Sequence, residues 1–248
     1  MDYTNMPVVI LAGGKGTRLY GENALIPKPM TVIGNDPIIL HIMRIYAYAG
    51  FKNFILAGGF RWQWMKEWFD DCREIPSDWK ISVVNTGYNA QTGGRILALK
   101  EEIGNQPFMC TYGDGLAIIN FQRLLKEHFK VKNYPVVTIT AVHPPARFGE
   151  LKLDKATNMI TSFSEKPIQS SWINGGFFVM NSEIFNYIED DRSNLESDVF
   201  PKLAQDGAIK AHLHTDFWQC MDTPRDVQAL QEMWLTNHAP WKVWADEK

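Results

Sequence analysis

Residues 8–30 read VVILAGGKGTRLYGENALIPKPM, and the order of residue types in that stretch decides the fold. Val8, Val9, Ile10, Leu11 and Ala12 form an unbroken apolar run. Such a run suits a parallel strand covered on both faces, whereas a half-exposed strand alternates apolar with polar. It breaks at Gly13-Gly14-Lys15-Gly16-Thr17-Arg18. Glycines at 13, 14 and 16 let the backbone turn sharply and approach a ligand without Cβ obstruction. Lys15 and Arg18 flank them, so exposed amide N–H groups and two cations share one short loop, a combination that favours a chain of phosphates. Lys28 follows, held between Pro27 and Pro29, which stiffen the backbone that carries it.

Spacing excludes two familiar phosphate loops. The string G-x-x-x-x-G-K-[ST] does not occur. The dinucleotide fingerprint G-x-G-x-x-G fails where Leu19 takes its last position, and Phe54-Ile55-Leu56-Ala57 runs into Gly58-Gly59 without the acidic residue that fingerprint requires. The plain alternative is a Gly-rich turn after the first strand of any α/β protein; Arg18 and Lys28 weigh against it.

Composition narrows the class. Of 248 residues, 45% are hydrophobic and 21% charged, which is ordinary for a globular chain able to bury one large core. A net charge of −3 leaves no basic footprint for nucleic acid, so phosphate binding has to rest on local cations. No apolar run approaches the ~18 residues of a membrane span, and residues 1–5 lack a signal-peptide pattern. Cys72, Cys110 and Cys220 are widely spaced and odd in number, forming neither a metal motif nor a disulfide framework. A reducing cytosol, and hence a cytoplasmic location, is the expectation.

Along the chain, strands expected at 54–57, 81–85, 108–112 and 136–142 alternate with helices at 38–49, 61–72, 93–103 and 121–132, the last capped by Asn120. That alternation implies crossovers and a mainly parallel sheet, whose ligands bind at the carboxyl ends of strands. Trp62, Met65, Trp68 and Phe69 recur at helical spacing, which reads as core packing in preference to a stacking platform. Beyond residue 150 the rhythm changes to a hairpin at 151–153 and 159–163, a strand at 172–180, helices at 182–188 and 195–205, and extended pieces at 209–214 and 217–220. Thr223-Pro224-Arg225-Asp226 is a helix start, with Thr as cap, Pro in the first position and Asp three residues after the cap. The tail with Trp241 and Trp244 is expected to pack on the body or on a neighbour.

LAGGKGTRL followed by PKPM resembles the signature of the sugar-1-phosphate nucleotidylyltransferases. The resemblance continues through TGGR at 92–95, YGDG at 112–115, PPARFG at 144–149, SEKP at 164–167, NGGFFV at 174–179 and FWQCMDT at 217–223. Together these blocks look most like the glucose-1-phosphate cytidylyltransferase branch. The fold so implied is α/β: a Rossmann-like mixed, mainly parallel sheet flanked by helices, with an added antiparallel sugar-binding hairpin region, as in nucleotide-diphospho-sugar transferases. One domain spans 1–248, with a mainly nucleotide-binding half at 6–145, a mainly sugar-binding half at 146–222, and a C-terminal helix and tail at 223–248.

The resemblance also implies roles. Leu11, Ala12, Gly13, Gly14, Gly16, Thr17, Arg18, Thr92, Gly93 and Arg95 would contact the nucleotide. Arg18 and Lys28 would hold the triphosphate, Lys28 close to the transferred phosphorus. Lys166 would bind the phosphate of the sugar and complete the catalytic set; without the motif, a lysine beside Glu165 reads as a solvated pair. Gly149, Glu165, Lys166, Asn174 and Trp218 would receive the sugar, although Trp218 also fits the core. Magnesium (Mg2+) would sit on Asp114 and Asp222. Local sequence offers each aspartate a humbler part, Asp114 in an Asx-type turn and Asp222 in helix capping. Arg95 falls in the first turn of a helix, where a cation opposes the dipole by ~0.3–1 kcal/mol, so its charge is expected to be used elsewhere, near the base, or else to lie along the surface. His212 and His214 alternate on a strand with no third ligand evident and read as non-metal residues.

Two departures are present, one from the cytidylyltransferase branch and one, which that branch allows, from the wider family. The branch's longer insertion between the second helix and third strand is replaced here by residues 73–80 alone, which puts a hexameric assembly and CTP specificity in doubt. Gly21 stands where the wider family has proline. Three readings follow. The first is transfer from CTP to a sugar 1-phosphate, glucose 1-phosphate preferred, by a homo-oligomer. The second is the same chemistry with TTP or UTP, or with another hexose or heptose. The third is a non-catalytic nucleotide-sugar sensor, which has little use for Arg18, Lys28, Asp114, Lys166 and Asp222 together.

Overall fold

A computed structural model describes residues 3–21, 24–130, 135–144, 148–165 and 171–244. In chain order its elements are β1 (Val8–Leu11), α1 (Thr17–Tyr20), a 3-10 turn at Lys28–Met30, β2 (Val32–Ile33), β3 (Asp36–Pro37), α2 (Ile38–Tyr48), β4 (Asn53–Gly58), α3 (Trp62–Asp71) and β5 (Lys80–Asn85). Then come α4 (Thr92–Leu97), α5 (Lys100–Ile103), β6 (Phe108–Tyr112), β7 (Gly115–Ala117), α6 (Phe121–Phe129), β8 (Val137–Val142), β9 (Glu150–Leu153), β10 (Ile160–Ser164) and β11 (Ile173–Met180). A 3-10 helix at Ser182–Tyr187, a π-helical turn at Leu195–Val199, α7 (Phe200–Gln205), β12 (Ile209–Leu213), β13 (Trp218–Cys220) and α8 (Pro224–Leu235) complete the chain.

The main sheet runs β12-β8-β11-β6-β1-β4-β5. β1 lies between β4 and β6, parallel to both, and β4 is parallel to β5. β11 is antiparallel to its neighbours β6 and β8, and β12 pairs parallel with β8, so the sheet is mixed and mainly parallel. The unbroken apolar run of β1 now has its reason. Val8 and Ile10 enter the core under α2 and α6, while Val9 and Leu11 enter a second core under α4, α5 and α7. Both faces are covered, so neither alternate position can be polar.

Most expected elements appear, with differences at their ends. The helix expected over 93–103 divides into α4 and α5, where the Leu99 amide bonds back to Ile96 O at 3.0 Å and tightens the turn. The segment at 182–188 winds as a 3-10 helix, and the one at 195–205 opens with the π turn before α7. Met65 and Phe69 of α3 are buried, as core packing requires. In the tail, Trp241 is fully buried against the body, stacked on Phe217 at 5.6 Å, and its Nε1–H donates to His41 Nδ1 at 3.4 Å. β7, like α1 and β3, is an element for which the sequence raised no expectation. It pairs antiparallel with β13, placing Gly115 opposite Cys220.

Candidate active site

The glycine loop leaves the carboxyl end of β1 at the middle of the sheet, and each of its glycines at 13 and 16 makes room for a particular side chain. A Cβ on Gly13 would stand 2.1 Å from Arg95 Nη1. Gly16 has φ 65°, and its Cβ would stand 2.8 Å from Lys28 Cβ. The loop is therefore shaped around two cations, one beneath it and one beside it.

Arg95 is the cation beneath. It is only 5% exposed, which corrects the surface alternative. Its Nη2 donates to Gly13 O at 3.0 Å, and Nη1 to Thr86 Oγ1 at 2.9 Å and Gly87 O at 2.8 Å. The charge unsuited to its helix turn is thus spent on backbone carbonyls, the loop's own among them. Burial lowers its pKa from the usual arginine value.

Lys28 is the cation beside the loop, 12% exposed, with Nζ 2.5 Å from Asp114 Oδ2 and 2.6 Å from Asp222 Oδ1. Burial works to lower its pKa, but the attraction of Asp114 and then Asp222 outweighs it, and the ammonium titrates above its ordinary value. The exposed Arg18 reaches the other oxygen of Asp222, Nη1 to Oδ2, at 2.8 Å. Two carboxylates and two cations that lie up to 204 residues apart in sequence therefore form one cluster.

The β7–β13 pair brings the aspartates together. Asp114 sits in the turn between β6 and β7, and its carbonyl accepts the Met221 amide at 2.8 Å, which delivers Asp222 beside it. Capping is left to others: Thr223 Oγ1 accepts the Asp226 amide, and Asp226 Oδ2 accepts the amides of Asp222 and Thr223 at 3.0 and 2.8 Å. The capping alternative for Asp222 is corrected, since its carboxylate points to Lys28 and Arg18. Asp114 likewise directs its carboxylate at Lys28, away from a turn role. Nearby, burial and then the charges of Asp222 and Asp114 push the Cys220 thiol up to about 11, so it stays protonated.

These groups open on a cleft of about 1230 Å³. Leu11, Gly13, Gly14, Gly16, Thr17, Arg18, Thr92 and Arg95 line it on one side, with Asn174 and Trp218 on another. Trp218 Nε1–H donates to Gly175 O at 2.7 Å, so the ring serves the wall and the core together. Ala12 and Gly93 are buried behind the lining; a Cβ on Gly93 would meet Ser193 O at 2.7 Å. Gly149 and Glu165 neighbour each other beside the exposed β9–β10 hairpin and do not line the cleft, whereas Phe148 does. Lys166 lies outside the described residues. His212 Nδ1 is 2.6 Å from Glu127 Oε2 and His214 Nε2 is 3.2 Å from Phe217 O, partners that are not members of this cluster. Sequence reasoning missed Tyr112 and Glu196, whose side chains hydrogen-bond across the lining. Tyr112 stood inside a quoted block, but nothing local marked Glu196.

The chain matches the model of the Nucleotidyl transferase family over residues 7–246. It is 38% identical over 258 residues to a probable glucose-1-phosphate cytidylyltransferase of Bacillus subtilis (strain 168), covering 96% of this chain and 100% of that protein. The glucose-1-phosphate cytidylyltransferase of Salmonella typhimurium is also 38% identical, over 260 residues, with the same coverage. A probable mannose-1-phosphate guanylyltransferase of Oryza sativa is 27% identical over 89% of this chain. Among solved structures, HddC of Yersinia pseudotuberculosis complexed with GMP-PN has a TM-score of 0.71 at 24% identity, covering 92% of this chain and 99% of its own. A UDP-glucose pyrophosphorylase complexed with UDP-glucose has a TM-score of 0.71 at 17% identity, covering 94% and 99%. The chain therefore belongs to the nucleotidyl transferase family, in fold and along nearly its whole length.

Proposed function

We propose that this chain is a sugar-1-phosphate cytidylyltransferase, moving a cytidylyl group from CTP to glucose 1-phosphate to give CDP-glucose and pyrophosphate. The observation that carries the reading is the junction of Lys28, Asp114 and Asp222, 2.5 and 2.6 Å apart, beside a glycine loop at a strand's carboxyl end. Its preference for CTP and glucose rests on the two relatives at 38% identity.

In the reaction an oxygen of the sugar phosphate attacks the α-phosphorus; the bond from that phosphorus to the β-phosphate bridging oxygen breaks, and pyrophosphate leaves with the electron pair. Two anions must be held in line, so most of the work is positioning and charge neutralisation. Loop amides and Arg18 would hold the triphosphate, and Lys28 would approach the α-phosphate. Asn174 and Trp218, which line the cleft, would receive the sugar, with Lys166 on its phosphate. Thr92 and Gly93 would border the base, with Arg95 bracing the loop from beneath. The half at 6–145 would thus serve the nucleotide and that at 146–222 the sugar, with 223–248 closing the core.

A divalent cation fits the donor set. Asp114 and Asp222 already share one positive charge, and hard oxygen donors of this kind suit magnesium. Among the described residues no third Asp, Glu, His or Cys joins them, which agrees with an ion that completes its shell with phosphate oxygens and water. Magnesium so bound would neutralise phosphate charge and help align the attack.

A pyrophosphate-release assay across the four ribonucleoside triphosphates and TTP, each with a panel of sugar 1-phosphates, tests the reading. Release is expected with CTP and glucose 1-phosphate. The choice of base is a real question, because the alignment with the Bacillus relative spans more positions than this chain has residues, so that relative carries residues absent here. Release with TTP but not CTP would replace the cytidylyl assignment; no release with any pair would leave the sensor reading.

A further inference from the structure

Glu196 reaches the cleft from the π-helical turn Leu195–Val199, a rare geometry that recurs at functional sites. Asn194 fixes that turn, its Oδ1 accepting the amides of Glu196 and Ser197 at 2.9 and 3.0 Å. Both carboxylate oxygens of Glu196 then go to hydroxyls from other elements. Oε2 accepts from Thr92 Oγ1 at 3.0 Å, and Oε1 accepts from the Tyr112 hydroxyl.

An ionised carboxylate only accepts, so the direction of every bond beyond it is forced. Thr92 Oγ1, having donated to Glu196, accepts the Leu195 amide at 2.9 Å. The Tyr112 oxygen, having donated likewise, accepts from Asn174 Nδ2 at 3.0 Å. Asn174 Oδ1 accepts the Gly176 amide at 2.9 Å, which independently decides which end of the amide is nitrogen. The second N–H of Asn174 is left as a donor on a residue that lines the cleft. Burial first, then the charge of Glu196, raises the pKa of Tyr112, so the phenol keeps the proton it gives.

We propose that Glu196 is a positioning residue for the sugar: acting through Tyr112, it holds Asn174 with an N–H presented to a hydroxyl oxygen of the sugar 1-phosphate, a role that rests on the nucleotidyl transfer proposed for this cleft. Glu196 makes no contact with the substrate in this scheme. It reaches Tyr112 from the far wall, and the same carboxylate ties that relay to Thr92 at the nucleotide end.

CMP and CDP-glucose differ by the glucosyl phosphate, so their affinities separate the two halves of the cleft. By titration calorimetry, Y112F is expected to weaken CDP-glucose by about 5- to 20-fold while leaving CMP within about twofold, and E196A, which also frees Thr92, to weaken CDP-glucose at least as much and always more than CMP. The double variant E196A/Y112F should bind no more weakly than the weaker single one, because both remove the same relay. E196Q, whose amide oxygen still accepts from Tyr112, should stay within about threefold of wild type. The KM for glucose 1-phosphate should rise in parallel, with that for CTP unchanged in Y112F. Equal weakening of CMP and CDP-glucose, additive losses in the double variant, or unchanged CDP-glucose affinity would overturn the role. Y112F keeps its ring against Phe178, 5.4 Å away, and decides the matter if E196A does not fold. A wild type that releases no pyrophosphate and binds CDP-glucose no more tightly than CMP would overturn nucleotidyl transfer itself. Wild-type pyrophosphate release in E196A and Y112F with an unaltered KM for glucose 1-phosphate would overturn the Glu196 role alone.

Discussion

Lys28 and Arg95 are both cations beside one glycine loop, and the sequence marked both, though not equally. Lys28 announced itself by its prolines, and the structure gives it anionic partners. Arg95 could be recognised only as misplaced on its helix turn, because its partners are the carbonyls of Gly13 and Gly87 and the Thr86 hydroxyl, which the fold brings to it. Gly13→Ala tests that packing. The added Cβ would collide with Arg95 and drive a buried guanidinium off its acceptors, with an expected cost on the order of 3 kcal/mol. Thermal and urea unfolding of the variant would measure it; wild-type stability would mean that Arg95 has another resting place. Asp114→Asn removes a charge from the proposed metal site. Pyrophosphate release should fall by roughly 100-fold or more and lose its response to magnesium. An unaltered magnesium titration would remove Asp114 as a ligand.

Among elements, the regular ones were readable because period and capping are local. Thr223 and Asp226 form the capping box that their spacing announced. Thr223→Ala should lower stability by about 1 kcal/mol in chemical denaturation, and a cap that costs nothing would show that α8 is held by its packing alone. β7 and β13 were not readable as partners. Three residues carry no period, and their antiparallel pairing joins segments a hundred residues apart. That pairing nevertheless sets Asp222 beside Asp114. Glu196 was hidden for a related reason, since a π turn shifts the helical register from which its facing would be inferred.

At the scale of the molecule, the second half of the chain closes back on the first. Trp234 of α8 packs edge-on to the ring of the buried His41, and Trp241 of the tail donates to it, while His41 itself is hydrogen-bonded to Ile33 O at 2.8 Å. Burial lowers the pKa of His41 to about 4, as it does that of His128. A histidine with a depressed pKa binds its proton more readily in the unfolded chain, so stability is full above the unfolded value of about 6.5 and is lost as pH falls toward 4. His41 alone accounts for up to roughly 3 kcal/mol across that window. Urea midpoints measured from pH 7 to pH 4 should fall steeply in wild type and less steeply in His41→Gln; parallel slopes would exclude His41 as a source. The same closure brings Asp222 to Lys28, the junction proposed to transfer a nucleotidyl group. Its most direct test is pyrophosphate release from CTP and glucose 1-phosphate with magnesium, measured side by side for wild type and Lys28→Ala. Release is expected from wild type, with a loss of about 100- to 1000-fold in a variant that still folds. Equal release by the two proteins would contradict it.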